Sequence, residues 1–511
     1  MRRAGLLGFV LCAAAWTVVA KTTVTFYGGA GRVGGSCALA QSGATRLLVD
    51  CGAFYGGEFM PDEPGGDDTF GFNPASVSDL VLTHAHADHA GRIPKLIRDG
   101  FKGTIWMTPP THALLESSLH GQSRYETDVM RTWRWSTRTK RRTVHWQESC
   151  EWAGRIAATN RHVFTGTLRQ LKDQQKIDNP FFCGTCCDLD LKDLMARVKV
   201  KPYETPWKIG AFTVTFADVK HLPGAASVRL EESTNACVFS GDLGSCRSRL
   251  VKTIEPAKKA DAVFVETTYG DATLGTPESL EAEYQRFRQA VGETLRTNGV
   301  VWIPAFAMDR SQRVLLEIQK GQAAGVIPTN VPVRFISASG REMMGQYVSH
   351  PEWFDVPDMK DARELFDRSS AKFPKKNVAR TILVTTSGMM EMGASRRLLP
   401  TLLPRTDVRV LLVGYQSPTT PGGLLKGGAK ELELDGKKIP VRAKVEVFSC
   451  FSGHGDATEN DRWLANNAAS RIFLIHGETK SLEERKKGLA ARFPNATVEI
   501  AKPGVSYTIG E

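Results

Sequence analysis

The stretch Thr83-His84-Ala85-His86-Ala87-Asp88-His89 constrains this chain more than any other. Three of the 11 histidines in the sequence sit here together with a carboxylate. The apolar run Leu80-Val81-Leu82 precedes it as the tail of a strand, and Ala90 to Leu96 reads as a loop entering a helix. A turn after a strand can aim several side chains at one point, and imidazole nitrogen with carboxylate oxygen suits zinc. Four candidate ligands are more than one metal usually takes from a single loop, so two metals sharing it are expected. Any fold for this chain must bring further ligands to that turn.

Candidates recur along the chain. The alternating segment Gly210 to Phe216 reads as a strand leading to His221, Ala236 to Ser240 as one ending at Asp242, and Ala262 to Val265 as one ending at Glu266. Near the C-terminus Val445 to Phe448 leads to Ser452-Gly453-His454, and Arg471 to Ile475 leads to His476. Alone, His221 reads as a structural histidine and Asp242 as a turn residue. Repeated placement after strands favours function, because a rigid sheet presents such loops at one edge.

Upstream, Thr22 to Tyr27 reads as a strand followed by a run in which Gly29, Gly31 and Gly34 match a dinucleotide fingerprint, with Asp50 near the ribose-acid spacing. That site needs a full helix, and only Ser36 to Gln41 precedes the break at Ser42-Gly43. The glycines fit better as a tight turn beside the histidine loop. From Pro277 the texture alternates: a helix over Glu278 to Leu295, then strands at Val300 to Ile303, Val331 to Ile336, Thr381 to Thr385 and Val408 to Val413 with helices between. This implies a parallel sheet covered by helices on both faces.

The net charge of +11 favours a polyanionic partner. Arg131 to Arg142 holds six basic residues around Trp133 and Trp135 with no acid, which suits phosphates and bases or a solvated helix with two core tryptophans. Cys183, Cys186 and Cys187 leave structural metal, a disulfide and plain thiols open. Arg2 and Arg3 before an uncharged run from Ala4 to Ala20 form the pattern of a secretory signal peptide cut before Lys21, with an uncleaved anchor or a buried helix as competing readings. A cleaved leader implies a periplasmic or secreted protein; otherwise the location is cytoplasmic. No stable membrane span is expected after leader removal.

Together these blocks resemble the β-CASP group of metallo-β-lactamase-fold nucleases, from Gly28–Cys37 and Leu82–Leu96 through Ile303–Gln312, Thr386–Met389 and Gly414–Gly422 to Phe451–Asp456 and Ile475–Glu478. The resemblance implies an α/β fold, an αββα metallo-β-lactamase sandwich with an inserted β-CASP domain of parallel sheet type. Its expected divisions are a signal peptide at 1–20, a metallo-β-lactamase part at 21–270 with the basic and cysteine insert at about 120–200, the β-CASP domain at 271–446, and a C-terminal metallo-β-lactamase part at 447–511. It implies two Zn²⁺, one held by His84, His86 and His221, the other by Asp88, His89 and His476, with Asp242 bridging. His454 would be the general acid, Glu266 its orienting carboxylate, and a metal-bridged hydroxide the nucleophile, so Asp88 and Asp242 count as catalytic too. Arg310, Ser387, Gly388, Tyr415, Gln416 and Ser452 would contact the substrate. The implied activity is zinc-dependent phosphodiester hydrolysis of single-stranded RNA, and a homodimer stays open. The alternative is an exported metallo-hydrolase acting on DNA or on small phosphodiesters or esters. The chain departs from the family at Val219-Lys220, where Ala-Gly is usual, and at Asp309, often Gly, where an acid is expected to oppose phosphate binding.

Overall fold

The computed structural model describes residues 21–54, 69–119, 193–245, 254–355, 361–375, 377–434, 436–468 and 470–510. The expected leader, the basic stretch with Trp133 and Trp135, and Cys183, Cys186 and Cys187 lie outside the described residues.

Among these residues, two seven-stranded sheets stack face to face. The first runs in the order Ser506–Thr508, Thr23–Phe26, Ala38–Ser42, Thr45–Val49, Asp79–Val81, Thr104–Met107, Val198–Val200. The second runs Thr497–Ile500, Arg471–Ile475, Ala262–Glu266, Asn235–Phe239, Ala226–Glu232, Phe212–Asp218, Trp207–Ile209. Side chains of a strand alternate between faces, and the core divides accordingly. Leu47, Val49, Cys237, Phe239, Phe264 and Phe473 meet between the sheets, while Leu48, Val238, Val263, Val265 and Leu474 join the outer core. Phe264 is central to the inner layer, 4.8 Å from the ring of Phe239, 5.0 Å from Phe473 and 5.2 Å from Phe26. Sheets covered on both faces make this the αββα sandwich that the resemblance implied.

A third sheet interrupts the second. Glu266 pairs in parallel register with Ile475, so the chain leaves this sheet and returns to the neighbouring position some 200 residues later. Between them stands a five-stranded sheet ordered Val333–Ile336, Thr381–Thr385, Val300–Pro304, Val408–Leu412, Lys444–Val447, with every pairing parallel. Parallel neighbours need crossovers, supplied by helices that include Arg310–Ala323 and Gly393–Leu402. The α/β insertion read from the alternation is therefore present.

The residues after the glycine turn form the strand Ala38–Ser42, in keeping with a run too short for the helix a dinucleotide site needs. One local reading changes. Gly210, at φ +53°, turns a hairpin between Trp207–Ile209 and Phe212–Asp218, so the strand begins later than its alternation suggested. Ala226–Glu232 is a further strand, paired on both sides.

Candidate active site

The ligand-type residues gather at one edge because the strands that precede them run the same way. Thr45–Val49 pairs in parallel with Asp79–Val81, placing Asp50 beside Thr83. Asn235–Phe239, Ala262–Glu266 and Arg471–Ile475 are likewise parallel neighbours, so Asp242, Glu266 and His476 emerge together. The sheets are joined at this edge by backbone hydrogen bonds from Ala226 N to Thr83 O at 3.0 Å and from His476 N to Gly29 O at 2.6 Å. The second bond brings the glycine turn, with Gly29 and Gly31 both at φ +72°, against the site.

Two four-residue groups result, His84, His86, His221 and Asp242, and Asp88, His89, Asp242 and His476, each with its donor atoms mutually within 4.8 Å. Asp242 belongs to both, and its oxygens divide between them. Oδ2 lies 3.5 Å from His84 Nε2 and 3.6 Å from His221 Nε2. Oδ1 lies 3.2 Å from His89 Nε2 and 3.6 Å from His476 Nδ1. His86 Nδ1 is 3.1 Å from both His84 Nε2 and His221 Nε2. Nitrogens bound tetrahedrally to zinc at about 2.0–2.1 Å stand about 3.3 Å apart, close to these separations.

Outer partners fix which nitrogens face inward. His89 Nδ1 donates to Asp50 Oδ2 at 2.7 Å and His221 Nδ1 donates to the Gly453 carbonyl at 2.9 Å, leaving each Nε2 with its lone pair toward the centre. Thr83 donates to Asp50 from its backbone at 2.8 Å and its hydroxyl at 2.9 Å. Burial holds His84, His86 and His221 below the ordinary imidazole range, the neutral form a metal requires. Burial also acts to lower His89 and His476, yet Asp242 with Asp50, and Asp242 with Asp88, outweigh it and raise both. Burial would raise Asp88 and Asp242, but the surrounding histidines hold both carboxylates below their usual range.

The residues fit metal ions. Asp242 is 2% exposed and its Oδ1 accepts no hydrogen bond. A buried ionised oxygen without a donor is costly unless a cation compensates it. His454 stands apart from both donor sets: its Nδ1 pairs with Glu266 Oε1 at 3.1 Å, and its Nε2 is 3.9 Å from Asp242 Oδ2. Glu266 is fully buried and anchored by the backbone N–H groups of Leu243 at 3.1 Å and Thr268 at 2.9 Å. It can therefore hold the imidazole with its second nitrogen aimed at the centre.

The residues expected to contact substrate take varied positions. Arg310 is 7% exposed and lies against Gly453, where an added Cβ would approach its Nη1 to 2.5 Å. Tyr415 is partly exposed and donates to Glu478, reaching from the inserted sheet to the loop after His476. Gln416 is buried, and its amide braces the Gly388 and Gly414 carbonyls at 3.1 and 3.2 Å. Ser387 Oγ accepts from Met392 N at 3.4 Å, within its own loop. Ser452 Oγ accepts from Tyr269 OH at 2.8 Å and from His454 N at 3.2 Å, so it shapes the histidine loop. Asp309 does not offer a free negative charge: it pairs with Arg310 at 2.8 Å and Arg313 at 2.7 Å. Sequence reasoning missed the parts played by Asp50, Thr83 and Arg313. For Asp50, its place at a strand end was the available signal; for Arg313 there was none.

A sheet sandwich with two carboxylate–imidazole donor sets sharing one aspartate at its edge defines a metal-dependent hydrolase. Models of the metallo-beta-lactamase superfamily, the Beta-Casp domain and the Zn-dependent metallo-hydrolase RNA specificity domain match residues 30–154, 311–425 and 438–499. The chain belongs to the β-CASP family of metallo-β-lactamase-fold nucleases. It is 27% identical to ribonuclease TTHA0252 of Thermus thermophilus over 91% of this chain and 95% of that protein. It is 27% identical to the transcription termination factor FttA of Methanocaldococcus jannaschii, covering 89% of this chain and 67% of that one. Endoribonuclease ysh1 of Schizosaccharomyces pombe is 25% identical, and this chain, matched over 93% of its length, spans 56% of it. A solved structure of a protein of unknown function from Enterococcus faecalis aligns over 96% of this chain and 100% of that one, with 13% identity and a TM-score of 0.46.

Proposed function

We propose that the protein is a two-zinc phosphodiesterase that cleaves single-stranded RNA. The observation that carries this reading is the division of Asp242 between the two donor sets, with the Glu266–His454 pair beside them. His84, His86 and His221 would hold one ion and Asp88, His89 and His476 the other, with Asp242 between them. When bound, two such ions neutralise phosphate charge and lower the pKa of water. The chain's own residues do the rest. Asp50 and the Gly453 carbonyl keep His89 and His221 in the tautomers that present Nε2 inward. Glu266 accepts from His454 Nδ1, so a proton carried on Nε2 is delivered to the departing oxygen of the substrate. Arg310, Tyr415 and the backbone at Ser387 and Gly388 would receive the phosphate chain, with Gln416 and Ser452 keeping their loops in shape.

The names of the matched relatives and of the C-terminal family model support RNA and zinc, and the net charge of +11 suits a polyanion. The divisions at 21–270, 271–446 and 447–511 belong to the same proposal, as does export directed by a leader at 1–20. Among the described residues no helix is long and apolar enough to cross a membrane. Elemental analysis of the purified protein should give close to two zinc per chain, and a panel of RNA, DNA and nitrophenyl substrates should show preference for single-stranded RNA. Activity in metal-free protein, or equal cleavage of DNA, would refute the reading. N-terminal sequencing from the native host should begin at Lys21; an intact Met1 would refute export.

A further inference from the structure

The loop Ser452–His454 serves two clients at once: it carries His454, and its Gly453 carbonyl accepts from His221 Nδ1 at 2.9 Å. The inserted sheet's first crossover helix grips this loop. Arg313 Nη1 donates to the Ser452 carbonyl at 2.9 Å, and the Arg310 guanidinium packs on Gly453 so closely that it would have to shift to admit a Cβ there. Both arginines are buried, at 7% and 3% exposure, and both converge on one carboxylate. Asp309 takes Arg313 through Nη2 at 2.7 Å and Nε at 3.1 Å, and Arg310 through Nη1 at 2.8 Å. Two-pronged guanidinium–carboxylate pairing fixes orientation as well as charge. Asp309 is itself 2% exposed and sits at φ +66°, a conformation in which glycine would be at ease. The chain keeps a charged residue in a strained backbone position, and that residue's carboxylate binds the two arginines that hold the loop.

We infer that Asp309 is a positioning residue, which acts through Arg313 and the Ser452 carbonyl to set both the proton donor His454 and the orientation of His221. An acid at this place does not oppose substrate phosphate, because two guanidiniums already surround it. Without Asp309, Arg310 and Arg313 would repel each other beneath the loop and release it.

The inference rests on the proposed roles of His454 and His221, and its test separates the two. Asp309→Gly relieves the backbone but strips two buried guanidiniums of their carboxylate, so the melting temperature should fall, and activities are compared well below it. Its kcat on a single-stranded RNA oligonucleotide should fall about 10- to 100-fold, the usual effect of losing an outer partner of a site. Bis(p-nitrophenyl) phosphate, whose leaving group needs no proton, should be hydrolysed nearly as before in excess zinc. Asp309→Asn, equal in size but uncharged, should behave in the same way. Zinc release to a chromogenic chelator should be faster in Asp309→Gly and in Arg313→Ala, and no faster in the double variant, because both act on one link. This coupling requires no assumption about His454, whose role is tested separately by His454→Ala. Additive effects in the double variant, a lower KM with unchanged kcat, or equal losses on both substrates would each overturn the inference.

Discussion

At the scale of single residues, the proposed roles separate groups that would hold a metal from the one that would donate a proton. His454 lies outside both donor sets and is tied to Glu266 alone on its Nδ1 side. His454→Ala is therefore expected to lower turnover of RNA by about 10²–10⁴-fold while both metals stay bound. A nitrophenyl phosphodiester should lose much less; equal losses on the two substrates, or loss of zinc, would show that His454 is not the acid. Asp50 makes the opposite contribution. It sits at φ +61°, 4% exposed, with its carboxylate shared between Thr83 and His89 Nδ1. Asp50→Asn cannot accept from His89 in the same way, and metal affinity should fall about 10–100-fold, measurable by competition with a chelator. Unchanged affinity would mean that His89 is oriented by its backbone alone. Non-glycine residues with positive φ recur around this centre, at Asp50, Lys220, Asp309 and His476, and such conformations persist where the surroundings over-determine them.

At the scale of elements, the inner layer of the sandwich supports the edge that carries the donors. Phe264 stacks between Phe239 and Phe473, each one strand away and each a few residues before Asp242 or His476. Phe264→Ala should cost about 3–5 kcal/mol in urea unfolding, and a loss below about 1 kcal/mol would show that the layer collapses into the gap. Cys237 lies in the same layer, and burial pushes its thiol from 9.0 up to about 12. Above pH 9 the unfolded chain sheds that proton while the folded chain keeps it, so stability should decline as pH rises through this window and be unaffected below it. Cys237→Ala should flatten the alkaline limb of the stability curve; an unchanged limb would refute the assignment. Elements of this kind were legible where a local pattern reports them. The histidine loop, the strand ends at Asp242, Glu266 and His476, and the helix–strand alternation after Pro277 all announce themselves within a few residues. Gly210 did not, because an alternating pattern continues unbroken through a tight hairpin. Asp50 and Arg313 did not either: their partners His89 and Ser452 lie 39 and 139 positions away, and only the sheet register and the crossover helix bring them together.

At the scale of the whole molecule, metal binding and folding are coupled. Asp242 is shared, and the remaining donors come from both sheets, so an ion in either place ties the sheets together. A ligand bound only by the folded state stabilises it by about 2.7 kcal/mol at a hundredfold excess over its dissociation constant. Chelator-treated protein should consequently melt at a lower temperature and regain it on adding zinc; coincident melting curves would place the donors outside the cooperative unit. The parallel pairing of Glu266 with Ile475 has a further consequence, in the time taken to make the chain. His476 follows that returning strand, and the strand Ser506–Thr508 completes the first sheet beside Thr23–Phe26 only later still. A ribosome must therefore pass Ile475 before the second donor set exists. The site of this metal-dependent hydrolase is, by this topology, incomplete through most of its own synthesis.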